Sequence, residues 1–142
     1  MRRPILSLLL AFAAIVVALP AAAHAMTLTS FQTPSKKIAC MYSRGGGEPA
    51  SLRCDVADPA HRPKRPKSCE LDYGSAFGLT ATGRARRLCA GDTVLNPQAK
   101  VLAYGRTRHL GPFACTSRAS GLRCTTKAGH GFDLSRTRQK LF

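Results

Sequence analysis

Few side chains in this 142-residue chain are suited to acid–base chemistry. Beyond a leader-like first 25 residues there are three histidines, His61, His109 and His130, and seven carboxylates, Glu48, Asp55, Asp58, Glu70, Asp72, Asp92 and Asp133. Two histidines and a lysine, here Lys37, Lys64 or Lys127, make a ribonuclease-type site when one imidazole takes the 2′-hydroxyl proton and the other protonates the leaving oxygen. Nothing in the spacing brings two of the three together, so a small secreted hydrolase of nucleic acid or cell wall using His109 and His130 stands as the alternative function. A glycosidase pair would have to come from acids in turn-like settings, such as Asp72 before Tyr73-Gly74 and Asp92 after Gly91, where Asp commonly bonds its own backbone. Gly129-His130-Gly131 reads either as a β-turn with an exposed side chain or as a histidine displayed as ligand or base. The chain has no G-x-S-x-G, no phosphate-cradling glycine loop and no metal-ligand cluster, so the expectation is a non-enzymatic chain with no catalytic set, metal or cofactor.

The cysteines are better placed for chemistry, and theirs is oxidation. Residues 1–25 read as a signal peptide: Arg2 and Arg3 are basic, Ile5 to Leu19 is apolar with one Ser, Pro20 breaks the run, and Ala23-His24-Ala25 is a small-x-small cleavage pattern. An apolar run of that length is short of the roughly 18 residues that a membrane span needs. The mature protein would be residues 26–142, a single domain that is secreted or periplasmic, with no transmembrane segment once the leader is cleaved. Cys40, Cys54, Cys69, Cys89, Cys115 and Cys124 all lie in it. An even number in an oxidising compartment implies three disulfides, whereas zinc would ask for close C-x2-C pairs that the spacing lacks. An internal echo narrows the pairings. Ile38-Ala39-Cys40 followed by Leu52-Arg53-Cys54 resembles Phe113-Ala114-Cys115 followed by Leu122-Arg123-Cys124. On a period of two, each Cys shares a face with apolar neighbours, and Gly45-Gly46-Gly47 and Arg118-Ala119-Ser120-Gly121 are plausible hairpin loops. The echo pairs Cys40 with Cys54 and Cys115 with Cys124, leaving Cys69 for Cys89.

Charge points to partners. The chain carries 22 Lys+Arg against 7 Asp+Glu, a formal +15, and all the bases except Arg2 and Arg3 lie in the mature part. They gather at Arg62, Lys64, Arg65 and Lys67, at Arg84, Arg86 and Arg87, at Arg106 and Arg108, and at Arg136, Arg138 and Lys140. The first nine of these are the candidate anion-binding residues, and the matching partners are anionic polymers of the cell envelope: lipopolysaccharide, cell-wall phosphate or nucleic acid. The competing reading is a well-solvated basic surface. Aromatic side chains interleaved with the bases, which base stacking requires, are sparse.

The elements that must carry these groups read as β. Candidate strands are Thr27 to Phe31, Lys37 to Tyr42, Leu52 to Val56, Phe77 to Ala81, Lys100 to Tyr104, Phe113 to Ser117 and Leu122 to Thr126, separated by Gly, Pro and Ser. Ala85 to Cys89 and Ser135 to Lys140 are open to a short helix or a turn. Asp58 to Lys67, with Pro59, Pro63 and Pro66, reads as an exposed extended loop. The fold class is all-β, a sandwich or barrel-like domain of hairpins.

Several motifs in order also carry a resemblance: Phe31-Gln32-Thr33-Pro34-Ser35, Arg53-Cys54-Asp55, Cys69-Glu70-Leu71-Asp72-Tyr73-Gly74, Cys89-Ala90-Gly91-Asp92-Thr93, Tyr104-Gly105, Gly121-Leu122-Arg123-Cys124 and Gly129-His130-Gly131-Phe132-Asp133-Leu134-Ser135-Arg136. Together these resemble a family of small secreted bacterial proteins, often actinobacterial, that carry a six-cysteine domain of unknown function. Members often have Trp where Tyr73 stands and an aromatic in the loop after Asp55, where this chain has its basic Pro-rich stretch. The resemblance implies an exported disulfide domain and no activity.

Overall fold

The structure, a computed structural model, describes residues 25–142. The expected signal peptide therefore falls almost wholly outside the described residues. Eleven strands and no helix make up the described residues: β1 (Thr27–Gln32), β2 (Ile38–Gly45), β3 (Glu48–Val56), β4 (Asp72–Thr80), β5 (Arg86–Ala90), β6 (Lys100–Val101), β7 (Thr107–Leu110), β8 (Phe113–Arg118), β9 (Gly121–Thr126), β10 (Gly131–Leu134) and β11 (Gln139–Leu141). They form two sheets, β5-β4-β3-β2-β1-β6 and β11-β10-β9-β8-β7. Of the two shapes the sequence left open, this is the sandwich and not a closed barrel. Every pairing is antiparallel except β1 with β6.

The alternation of apolar and polar residues puts one face of each sheet inward, and the two inner faces match. In the first sheet Phe31, Cys40, Cys54, Phe77 and Arg87 are successive cross-strand partners. In the second the corresponding row is Arg108, Cys115, Cys124, Phe132 and Leu141. The rows meet across the core. Phe77 and Phe132 have ring centroids 6.5 Å apart, and sulfurs of Cys40, Cys54 and Cys124 lie within 4.8 Å of one another. A second contact, Tyr42 edge-on to Phe113 at 6.0 Å, closes the layer nearer the β2–β3 turn.

Cys40 bonds Cys54 and Cys115 bonds Cys124, each pair directly opposite in its hairpin, while Cys69 bonds Cys89. Each bridge constrains the unfolded chain by about 2.5–3.5 kcal/mol. That matches the roughly 1.5–3 kcal/mol from burying one Phe or Leu, so three bridges do the work of several core side chains in a small domain. Three disulfides also place folding in an oxidising environment.

Some expectations are corrected. Ala85 to Cys89 is neither helix nor turn but edge strand β5, and Ser135 to Lys140 is a turn followed by β11. Lys100 to Tyr104 contributes two strand residues, because beyond Val101 the chain turns to reach the second sheet. Asp72 opens β4 instead of forming a turn. Strands β7 and β10 were not expected at all.

Candidate functional site

The histidines stay apart. His109 lies opposite Ala114, Ala114 opposite Thr125, and Thr125 opposite Gly131, the residue after His130. Three strand spacings separate the two positions, roughly 14 Å. His61 lies in the loop between β3 and β4, and none of the clefts described below is lined by a histidine. The one close group of metal-type ligand atoms among the described residues is Cys40, Cys54 and Cys124. These sulfurs are disulfide-bonded and offer no thiolate.

Four carboxylates share one cleft of about 460 Å3, lined by Asp55, Asp58, Asp72 and Asp92 with Arg62 beside them. Arg53 occupies two of the four. Its Nε and Nη2 donate to the two oxygens of Asp55 at 2.9 and 3.0 Å, and its Nη1 and Nη2 donate to the Asp92 carboxylate and carbonyl at 2.8 and 2.7 Å. The Val94 N–H donates to Asp55 Oδ2 at 3.0 Å. The Arg53 guanidinium holds the Asp92 carboxyl below the usual carboxylate range, and the carboxylates hold Arg53 more firmly protonated. Asp55 is buried with its oxygens taken, so this network fastens the 92–94 segment to β3.

The expected anion-binding residues fall in different places. Arg87 and Arg108 point between the sheets: Arg87 lies 5.5 Å above the Phe77 ring and donates to the Gln139 carbonyl at 3.3 Å, and Arg108 lies 5.7 Å from the centroid of Phe31. Each closes one open side of the sandwich. Arg84 and Arg86 are exposed and, with Arg53, rim a cleft of about 410 Å3 on the outer face of the first sheet, over Met41, Gly78 and Leu88. Arg106 is exposed, and its carbonyl accepts from the Ser117 N–H. In the β3–β4 loop Lys64, Arg65 and Lys67 are exposed. Arg62 and Pro63 rest on Gly74, whose φ of +105° and missing side chain admit them against β4.

A different set of bases converges. At one end of the sandwich the β1–β2, β8–β9 and β10–β11 turns and the β6–β7 loop surround a cleft of about 370 Å3. It receives Lys37, Arg118 and Arg136, hydroxyls from Thr33, Ser35, Ser120, Ser135 and Thr137, and the ring of Tyr104. No carboxylate lines it. The nearest is Asp58, whose left-handed backbone, φ +46°, folds the start of the basic loop against two of the turns. The Ala57 N–H donates to the Lys37 carbonyl at 2.8 Å, the Ala60 N–H to the Arg136 carbonyl at 2.7 Å, and Arg136 Nε to the Asp58 carbonyl at 3.1 Å. Lys37 Nζ stands 4.0 Å from the Asp58 carboxylate, both side chains well exposed. Among the described residues the Arg118 guanidinium has no hydrogen-bond or ion-pair partner. The cleft thus gathers three cations with a single exposed carboxylate nearby, an arrangement whose field attracts negative charge.

In the sequence Arg136 falls in a basic cluster, Lys37 reads as a possible catalytic lysine and Arg118 as part of a hairpin loop, and nothing there joins the three in a cleft. The available signal was that each flanks a Ser- or Thr-bearing hairpin turn.

The chain belongs to a family of unknown function, DUF6636, matched over residues 11–142. Neither a curated protein nor a solved structure matches it.

Proposed function

We propose that this protein is an exported, non-enzymatic binding module that grips an anionic polymer of the cell envelope at its loop-end cleft. The observation that carries the reading is the convergence of Lys37, Arg118 and Arg136 in a hydroxyl-lined cleft without a carboxylate in its lining. Three disulfides suit an oxidising compartment, and no helix among the described residues is long and apolar enough to cross a membrane. The exposed bases of the β3–β4 loop add attraction at longer range, while the cleft supplies the fixed contacts.

Heparin, lipopolysaccharide and duplex DNA are the probes. Changing Lys37, Arg118 and Arg136 together to Ser should lower affinity more than changing Arg62, Lys64, Arg65 and Lys67 together. If the three cleft cations each neutralise one phosphate on DNA, they account for a log–log salt slope of about −2.7, or roughly 40-fold between 50 and 200 mM salt. Equal losses from the two sets would mean diffuse attraction to a basic surface and would overturn the cleft reading. So would turnover of the bound polymer that is lost on replacing His109 or His130.

A further inference from the structure

Resting on that reading, we infer that the loop-end cleft recognises an acidic sugar, a pyranose ring bearing a carboxylate or phosphate, and not the backbone of a nucleic acid. A bare anion needs cations alone, and Lys37, Arg118 and Arg136 would serve one. Two further features of the cleft are left unexplained by a bare anion.

The first is the hydroxyl lining. The five hydroxyl side chains come from all three turns. Two are spent on their own turns: Thr33 Oγ1 lies 3.3 Å from the Ile38 carbonyl and amide, and Ser135 Oγ accepts from the Arg138 N–H at 3.0 Å. Ser35 and Thr137 touch those two at 3.1 and 3.3 Å. Ser120 makes no hydrogen bond among the described residues. A hydroxyl donates one hydrogen bond and accepts two, so Thr33, buried and bonded to both Ile38 groups and to Ser35, is used up, while the exposed Ser35, Ser120 and Thr137 keep capacity. That two-way capacity matches the hydroxyls of a sugar ring, whereas a phosphodiester only accepts.

The second is Tyr104. It is 46% exposed, in a domain whose other large aromatics sit largely in the core. Its loop is held on both sides, the Leu102 N–H donating to the Gln32 carbonyl at 2.8 Å and the Gly105 N–H to the Ser117 carbonyl at 2.7 Å. A ring presented on a fastened loop loses little freedom on binding and offers a flat apolar face to the C–H face of a pyranose. Binding single-stranded nucleic acid uses a succession of such rings, one for each stacked base. This cleft has one. Its volume of about 370 Å3 suits one or two sugar rings better than a run of nucleotides.

The experiment is titration calorimetry on the disulfide-bonded protein with five probes: a galacturonate tetramer, the neutral galactose tetramer, inorganic phosphate, a twelve-residue oligo-dT, and glucose 6-phosphate to separate a phosphate-bearing from a carboxylate-bearing sugar. The galacturonate or the sugar phosphate should bind at least about 10-fold tighter than both the neutral sugar and inorganic phosphate, a difference of one decade or 1.4 kcal/mol. Tyr104→Ala should weaken the acidic sugar about 10-fold and leave phosphate unchanged, since stacking involves no charge; one ring stacked on a base is worth a comparable amount. Tyr104→Phe, which keeps the ring, should restore it. Arg118→Ala should weaken both. Acidic-sugar affinity unmoved by Tyr104→Ala, or oligo-dT binding as tightly as the sugar through Arg118, would overturn the sugar assignment while leaving an anion-binding cleft. Failure of Arg118→Ala to weaken any anionic probe would remove the cleft reading itself.

Discussion

Two clefts of similar size on this molecule carry opposite charge, and they treat that charge differently. In the acidic one, lined by Asp55, Asp58, Asp72 and Asp92, a single arginine spans two carboxylates and a backbone carbonyl, and a backbone amide takes another oxygen. In the basic one, Arg118 has no partner among the described residues, and Lys37 and Arg136 share a single exposed aspartate between its carboxylate and its carbonyl. Clustered charge is therefore a weak sign of function on its own. What separates the two is that Arg53 binds two of the four carboxylates in the acidic cleft, whereas among the described residues no protein group engages the Arg118 guanidinium in the basic one.

The same contrast runs through the arginines. Arg87 and Arg108 sit over Phe77 and Phe31 at the two open sides of the sandwich, where the long stem covers apolar surface and the planar head rests on a ring. Arg118, at the end of β8, and Arg136, in the β10–β11 turn, line the cleft. Equal residue types in one basic composition thus divide into fasteners and candidate ligands by what lies beside them.

The largest effect should come from removing a fastener. Arg53→Ala strands the Asp55 carboxylate, which is 3% exposed, and a buried charge left without its partner costs several kcal/mol. We predict a loss of about 3 kcal/mol in urea unfolding, with anion affinity unchanged. A loss of binding as large as that from the cleft triple would erase the distinction between the two clefts. A smaller effect is expected at the sandwich edges. Arg108→Met keeps the covering stem and gives up the cation–ring contact, so stability should fall by about 1 kcal/mol or less with heparin affinity intact. A marked fall in heparin affinity would instead return Arg108 to the ligand-binding set.

How far the sequence reveals all this follows the same line. The longer central strands are legible because their inward positions are apolar or Cys: Ile38, Cys40 and Tyr42 in β2, and Leu122 and Cys124 in β9; β10, central too, is only four residues long and is not. The edge strands are not, since β5 places Arg87 inward, β7 Arg108 and β11 Gln139. A polar residue on the inner face breaks the period of two that identifies a half-buried strand, and its placement becomes visible once the fold supplies its contacts: the neighbouring strand's Phe77 under Arg87, and the opposite sheet's Phe31 under Arg108. The hairpin echo around the cysteines is local and survives in the sequence. The cleft does not, because Lys37 flanks β2 of the first sheet while Arg118 ends β8 and Arg136 lies in the β10–β11 turn of the second, and the stacking of the sheets brings Lys37 to the other two.

The smallest predicted effect concerns the exposed end of the Arg53 network. The Asp92 carboxyl is held below its ordinary value, first by the hydrogen bond from Arg53 and then by its charge. A carboxylate whose folded-state pKa is lowered stabilises the fold above its unfolded value, about 3.9, and ceases to do so as pH falls through the folded one. Arg53 stays protonated throughout and adds no titration of its own. Asp92→Asn should therefore be slightly less stable than the parent near neutral pH, and the two unfolding curves should converge as the pH falls below the ordinary carboxylate range. The difference should be slight, because water and salt screen so exposed a pair. Urea midpoints measured for both proteins from pH 7 to pH 2 check this. A gap that persists unchanged into acid would mean that Asp92 acts through its shape or its backbone contact, and that the acidic cleft is fastened by Asp55 alone.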